Sequence, residues 1–501
     1  MGEQVVALVS PAGRASSSRP PIGLMYIASF LESKGCRADI VDVKGKASVH
    51  ETEDEIIKEL KRLSPDVIGT TCDTPEVQAT KEFAARVKAE VNPEIKIVVG
   101  GSHPTFIQQD LLFRDSPIDF CILNEGEPSF FQLVDALRKE KPLSEVNNLA
   151  YFDGKKIVLT QQKTLIENLD DLPFPAYDKV DMDFYLKPDI WTIRGIPIAG
   201  FFVFTSRGCP YNCFFCVNKN KSKRTIRYRS AKNVGEELQL LKDKYKIDGL
   251  YFYDDTFTVN RKHVEEICAE MKERKLGLIW ACETRVNLLD EPMLLKMKDA
   301  GCVQIDFGVE SGSERIQKEI IDKGATPQQA RDAFSLCRKH GIRTFANMMI
   351  NLPTETEEDL QQTIRLCRDL KPTVSIWNIC TPYPGTDLFF SVQKEMPVED
   401  YYRLAPRPGE FDEWLEFIQT KYNYSQHRRN LKELLQELQR EFPSIHNISL
   451  KNPKAILGAL GNISFVFSPA YLKTIARSRR KLDYISWWLS VGKILKSQRW
   501  S

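Results

Sequence analysis

The sequence predicts an α/β protein: a doubly wound parallel sheet, then a partial (β/α)6 barrel, then a helical C-terminal extension. Three observations predict it. Short apolar runs alternate with amphipathic stretches over residues 1–145, a second such alternation runs from about 201 to 380, and the rhythm stops near 390. At 501 residues the chain is too long for one ordinary domain, so two or three are expected.

In the first region the apolar runs are Val5–Ser10, Ala38–Val43, Asp66–Cys72, Ile95–Gly101 and Phe120–Glu125. They are short, rich in Val and Ile, and end on Gly, Pro or polar residues, as buried parallel strands do. Between them, Pro21–Ser33 places Leu24, Ala28 and Leu31 on one helical face and closes at Gly35, and Glu76–Val91 is a second helix pattern. Five strands with short connections predict a Rossmann- or flavodoxin-like domain, whose ligands bind at the carboxyl ends of the strands. Those ends are Ser10-Pro11, Thr70-Thr71-Cys72-Asp73, Gly100-Gly101-Ser102-His103-Pro104 and Asn124-Glu125-Gly126-Glu127. Gly100-Gly101 lets backbone approach a ligand closely. His103 either reaches such a ligand or satisfies the turn after the fourth strand.

Residues 146–195 read as a linker. Leu149–Phe152 and Lys156–Leu159 form a hairpin about Asp153-Gly154, and Leu172-Pro173-Phe174-Pro175 is extended because its prolines forbid a regular helix. The barrel is predicted over 196–390. Its strands are Phe201–Thr205, Gly249–Asp254, Leu278–Glu283, Val303–Val309, Arg343–Ile350 and Val374–Cys380, each separated by a helix-length segment. The first runs into a loop holding Cys209, Cys213 and Cys216 in a CxxxCxxC pattern. Thiolates are soft ligands, and four of them ordinarily hold an iron–sulfur cubane, so three leave one iron open. Zinc or a redox thiol pair are the alternatives; zinc wants a fourth ligand close by in sequence, and none follows.

Residues 391–501 read as a helical, basic C-terminal region. Leu431, Leu434, Leu435 and Leu438 form one stripe, best explained as helix core. Residues 421–501 hold fifteen Lys/Arg and four Asp/Glu, a net +11, while the whole chain is +2; residues 1–420 therefore carry −9. Basic residues Lys473, Arg477, Arg479, Arg480 and Lys481 stand beside Trp487-Trp488-Leu489, the pattern of an in-plane membrane helix, a lid or a partner-docking helix. No basic segment leading into an apolar stretch opens the chain, no apolar run is long enough to span a bilayer, and the twelve cysteines are scattered apart from one cluster. A cytoplasmic protein is expected, peripheral at most to the inner face of the membrane. Nucleic acid is not an expected partner, because the basic excess is confined to the tail.

With these residues in hand, the chain resembles a known family. PPIGLMYIASFLESKG, VVGGSHPT and NEGEPSF look like the cobalamin-binding domain that precedes many radical S-adenosylmethionine (SAM) domains, and LDDLPFPAYD like the strap joining the two. The cysteine loop and the barrel order resemble the radical SAM domain, from about Pro197 to Thr386. The lower-ligand signature Asp-x-His-x-x-Gly of cobalamin mutases is absent, as is usual in these relatives. The resemblance implies a 4Fe–4S cluster on Cys209, Cys213 and Cys216, with SAM on the open iron. It implies SAM contacts from Asp254, Asp255, Arg285, Glu310, Ser311, Asn347, Pro382 and Tyr383. Cobalamin would be met by Pro11, Gly23, Thr70, Thr71, Gly100, Gly101, Ser102, His103, Glu125 and Gly126. It further implies a small-molecule substrate and an electron donor such as flavodoxin or ferredoxin. The activity it implies is methyl transfer to an unactivated carbon of a small natural product, lipid or tetrapyrrole. Radical cyclisation, as in the anaerobic tetrapyrrole cyclases, is the alternative within the family. A non-catalytic cobalamin or iron–sulfur sensor is the alternative from another class.

Overall fold

A computed structural model describes residues 5–10, 19–43, 52–162, 165–392, 396–406, 410–442 and 465–487. The chain forms two compact units, residues 1–185 with 382–410, and residues 186–381 with 411–501.

The first unit is built on a seven-stranded sheet of order β2-β1-β3-β4-β5-β6-β7. The strands are β1 Val5–Val9, β2 Arg37–Val41, β3 Val67–Thr71, β4 Lys96–Gly100, β5 Phe120–Ile122, β6 Leu149–Phe152 and β7 Ile157–Leu159. β1 to β5 are parallel in the flavodoxin-like order 2-1-3-4-5. Side chains alternate across β1: Ala7 and Val9 pack with the helices Thr52–Leu63 and Val77–Glu90. Val6 and Leu8 pack on the other face with Ile22–Ser33 and Gly126–Lys139. The hairpin expected in the linker joins this sheet: β6 pairs antiparallel with β5, and β7 with β6. The first unit accordingly runs on to residue 185.

The second unit begins with the hairpin β8 Asp189–Ile193 and β9 Ile196–Ile198, then enters the barrel at β10 Gly200–Val203. A short ladder, β11 Ser206–Arg207 with β12 Arg227–Tyr228, brackets the cysteine loop. β13 Gly249–Phe252, β14 Ile279–Arg285, β15 Cys302–Glu310, β16 Arg343–Ile350 and β17 Val374–Ile379 complete a six-stranded parallel sheet in sequence order. Parallel register sets which side chains share a face. Tyr251 aligns with Ala281, Glu283 with Asp306, Arg285 with Gly308, Gly308 with Asn347, and Asn347 with Ile376. These residues line the barrel lumen in layers.

The leucine stripe is core as expected: Leu431, Leu434, Leu435 and Leu438 are buried in the helix Leu431–Glu441. Farther on, Tyr471 Oη donates to the Pro197 carbonyl at 2.8 Å, while Tyr484 Oη donates to Asp248 Oδ2 at 2.9 Å and accepts from the Ala199 N–H. Ser478 Oγ also donates to Asp248 Oδ2, at 2.6 Å. Pro197, Ala199 and Asp248 all precede barrel strands, so residues 465–487 close the end of the barrel opposite the cysteine loop. For these residues the lid reading is wrong. No described helix is long and apolar enough to cross a membrane.

Candidate functional site: the cysteine loop, the barrel mouth and the glycine-lined strand ends

The exit of β10 is held rigidly before the cysteines begin. Asp254 Oδ1 accepts from the N–H groups of Thr205 and Ser206, both at 2.7 Å, and its Oδ2 accepts from Thr205 Oγ1 at 2.5 Å. His263 Nε2 lies 3.1 Å from the same hydroxyl. Burial pushes Asp254 up to about 6 against these hydrogen bonds, and burial pushes His263 down to about 4. Asp254 is therefore a strut for the loop, and the helix Arg261–Glu273 is capped by Asn260. Gly208 then turns with φ +95°; a Cβ there would stand 2.1 Å from the Thr225 carbonyl, so only glycine fits.

The loop closes on itself through the Cys216 N–H to the Cys213 carbonyl at 3.0 Å, and it is tied to the barrel by the Phe214 N–H to the Ile321 carbonyl at 3.1 Å. All three cysteines are half-buried and unbridged. Burial raises the Cys209 thiol and pushes Cys216 up to about 12. Free thiols are thus favoured here until a metal group displaces their protons. Among the described residues no three His, Cys, Asp or Glu converge as a single ion such as zinc requires. A cubane has no such requirement, because each thiolate takes a different iron.

Beside the loop, Arg285 is buried at the end of β14. Its guanidinium lies 3.6 Å from the centroid of Tyr211, and its Nη1 points to Cys213 Sγ at 3.7 Å. Its Nη2 is buried with no hydrogen-bond partner. Glu310, close by, is paired with Lys323. Lys323 Nζ donates to Glu310 Oε1 at 2.8 Å and to the Gly308 carbonyl at 2.7 Å, with both side chains buried. Gly308 makes room for this pair: a Cβ would stand 2.4 Å from Lys323 Nζ and 2.7 Å from Glu310 Oε1. Arg285 and Lys323 also line an open cleft of about 340 Å³ with Tyr211, Asn212 and Arg224.

Deeper in the lumen, Asn347 keeps a buried Nδ2 with no partner. Glu283 faces Arg194, Asp306, Glu310 and Lys323, and burial pushes its carboxyl up to about 7. The floor is a polar layer: Asp306 binds Arg194, accepts from Tyr251 Oη at 2.9 Å and from Gln304 Nε2 at 2.8 Å, and Arg343 donates to Gln304 Oε1 at 3.1 Å. Sequence reasoning gave no role to Lys323, Tyr211, Gly308 or Glu283, although Glu283 and Gly308 stand two residues before Arg285 and Glu310 in the same strand-end stretches.

Ser311 is fully buried, with its hydroxyl 3.1 Å from Thr363 Oγ1 and accepting from the Ser313 N–H, so it ties a turn to a helix. Asp255 is exposed and accepts from Asn218 Nδ2 at 2.5 Å. Pro382 and Tyr383 fall in the first unit, where the sequence reading had carried the barrel to 390.

In the first unit, polar side chains at the strand ends mostly turn inward. Thr70 Oγ1 donates to the Val9 carbonyl at 3.1 Å. Glu125 Oε2 accepts from the Ile166 N–H at 2.7 Å. The His103 ring is fully buried in the turn after the fourth strand, 3.2 Å from Thr74 Oγ1 and 3.3 Å from Asp110 Oδ2. What remains for a ligand is open backbone and Ser10 Oγ, which is buried at the end of β1 with no partner among the described residues. Cβ positions at Gly23 and Gly100 meet nothing closer than 3.9 Å, whereas Gly101, at φ +107°, is held against the Cys72 carbonyl. Gly126 packs on Ile27, whose Cδ1 lies 3.2 Å from its Cβ position. Thr71 and Ser102 are half-buried. Pro11 lies outside the described residues.

The fold and this site define an iron–sulfur barrel enzyme joined to a cofactor-binding sheet. The sequence matches the Radical SAM superfamily over residues 203–367 and the B12 binding domain over residues 12–134. It is 37% identical to an uncharacterized methyltransferase of Pyrococcus horikoshii, covering 74% of this chain and 78% of that one. It is 31% identical to the anaerobic magnesium-protoporphyrin IX monomethyl ester cyclase of Rubrivivax gelatinosus, covering 80% and 73%. The fold is that of the radical SAM methyltransferase TsrM of Kitasatospora setae, solved with cobalamin and a [4Fe-4S] cluster bound: TM-score 0.66 and 17% identity over 79% of this chain and 78% of that one. The chain belongs to the radical SAM enzymes that carry a B12-binding domain. Its cofactors are a 4Fe–4S cluster, SAM and cobalamin.

Proposed function

We propose that this enzyme transfers a methyl group to an unactivated carbon of a small molecule. The observation that carries the reading is the union, in one chain, of a B12-binding sheet with a barrel mouth that holds three cysteines and unpartnered polar nitrogens. When bound, the cluster supplies the electron that cleaves SAM to a 5′-deoxyadenosyl radical, and cobalamin supplies the methyl group.

The chain's own residues then have definite tasks. Cys209, Cys213 and Cys216 would hold the cluster through three thiolates, one fewer than a cubane has irons, so that one iron would stay open to SAM. Arg285 directs Nη2 at the SAM carboxylate while its Nη1 places positive charge beside Cys213. A guanidinium suits this task because it is planar, always charged and stacked on Tyr211. Lys323 neutralises Glu310 and leaves that carboxylate's second oxygen for a hydroxyl or ammonium group. Asn347 offers Nδ2 to an acceptor on the adenosyl portion. The polar floor seals the lumen, so a radical formed above it meets substrate and not water. Gly23 and Gly100 admit a large planar group against the backbone of the first sheet. A small protein of the flavodoxin or ferredoxin kind delivers the electron.

The likeness to a cyclase gives the rival reading its weight. Product analysis under anaerobic turnover separates the two. Methyl transfer yields S-adenosylhomocysteine and 5′-deoxyadenosine together, because SAM serves twice. A cyclase yields 5′-deoxyadenosine alone, and that result would sink the proposal. Release of neither product would point to a sensor.

A further inference from the structure

Residues 465–487 have two faces. One is fastened to the closed end of the barrel through the hydroxyls of Tyr471, Ser478 and Tyr484. The other holds Phe467, Leu472, Leu482 and Ile485, exposed at 69%, 50%, 79% and 55%. Lys473, Arg477, Arg479 and Lys481 stand exposed among them. The only acidic residue in this stretch is Asp483, which pairs with Arg480 at 3.3 Å. Five Lys/Arg against one Asp give residues 465–487 a net +4.

Neither half of this face is explained by folding. Large aliphatic side chains left in water forgo the stabilisation of burial, and contiguous apolar surface ordinarily marks an interaction site. Among the described residues no carboxylate pairs with Lys473, Arg477, Arg479 or Lys481. Apolar side chains interleaved with cations fit one kind of surface above others: the headgroup layer of an anionic bilayer, where acyl chains receive the former and phosphates the latter. A nucleic acid backbone would match the cations and leave Leu482 and Phe467 in water. The tyrosine anchors hold the face in place beforehand, so docking pays little ordering entropy.

We propose that residues 465–487 dock the enzyme on an anionic membrane surface. This rests on no particular reaction and stands apart from the assignment of methyl transfer. The test is flotation of the full chain with phosphatidylcholine vesicles, with and without phosphatidylglycerol, at low and high salt. The chain should float with the anionic vesicles at low salt and be released by salt. Leu482→Ser combined with Ile485→Ser should remove most of that binding, and Phe467→Ser should weaken it. Arg479→Glu with Lys481→Glu should weaken it by more than tenfold, since each cation near such a surface contributes roughly fivefold. These side chains are exposed and lie outside the catalytic machinery, so circular dichroism and 5′-deoxyadenosine release should match the parent protein. The proposal fails if the parent does not float with anionic vesicles at low salt, or if the serine variants float as it does. It fails equally if duplex DNA is bound with the same sensitivity to charge reversal while the serine variants keep their vesicle binding.

Discussion

At the carboxyl ends of the first sheet, Thr70, His103 and Glu125 all turn their polar atoms back into the protein. In the barrel, Arg285 at the end of β14 and Asn347 within β16 each keep a buried nitrogen with no partner among the described residues. The first site thus sets open space at Gly23 and Gly100 beside a few buried polar atoms such as Ser10 Oγ, and the second offers a guanidinium and an amide nitrogen. A large, flat and mostly neutral group needs clearance, while a charged, flexible one needs matched polar contacts in a dry cavity. The two regions should consequently fail in different ways: the barrel by loss of chemistry with the fold intact, the first sheet by loss of shape.

The sharpest break concerns the cluster. Cys213→Ala should abolish 5′-deoxyadenosine formation and the iron–sulfur absorption while leaving the far-ultraviolet circular dichroism unchanged; residual cleavage would overturn the site. Next is Arg285→Ala, which removes a charge-assisted contact of about 1.5–3 kcal/mol and should raise the SAM concentration for half-maximal cleavage by about 10- to 100-fold. Arg285→Lys should recover little of this, because an ammonium neither forks nor stacks on Tyr211. Full recovery would mean that charge alone matters there.

In the first sheet the sensitive position is a glycine. Gly101→Ala places a Cβ 2.7 Å from the Cys72 carbonyl at φ +107°, a conformation costing on the order of 1–3 kcal/mol for other residues. Thermal unfolding should move down, and the visible spectrum of cobalamin retained after gel filtration should weaken. An unchanged spectrum would remove Gly101 from the cofactor's support.

The smallest effect tests the lumen. Burial raises the Glu283 carboxyl from the ordinary glutamate value of 4.5 to about 7. Between those values the folded chain holds a proton that the unfolded chain has lost, so this group's contribution to stability falls as pH rises from about 4.5 to about 7 and is level above. Glu283→Gln should flatten that fall, visible as a smaller loss of Tm between pH 5 and pH 7.5. The same slope in both proteins would show that Glu283 is well solvated.

The strands of both sheets were legible because their signal is local. Runs such as Arg343–Ile350 and Val374–Cys380 are apolar on both faces, as strands covered on both sides must be, and the structure places β16 and β17 there. The cysteine loop was legible for the same reason, since its spacing lies within one turn of chain. Partnership was not legible. Asp254 looked like a ligand contact by its place at a strand end, and proved to hold the N–H groups of Thr205 and Ser206, 49 and 48 residues earlier. Likewise, Glu310 finds Lys323 beyond the short π-helix Ile316–Ile321, a pairing that no local pattern announces.

The sequence by itself therefore determined the class of the fold, the order of its strands, the three cluster cysteines and the basic, aromatic character of the C-terminal region. Each follows from side-chain period, backbone chemistry or composition, which neighbouring residues carry between them. Only the tertiary structure decided that His103 faces inward, that Glu310 accepts from Lys323 while Arg285 keeps an unsatisfied donor, that residues 382–410 pack with the first unit, and that residues 465–487 close the barrel's far end. Those outcomes depend on register and on competition among distant hydrogen-bonding groups. A buried donor takes whichever acceptor the packed backbone brings within reach, and that is settled only when the sheets close.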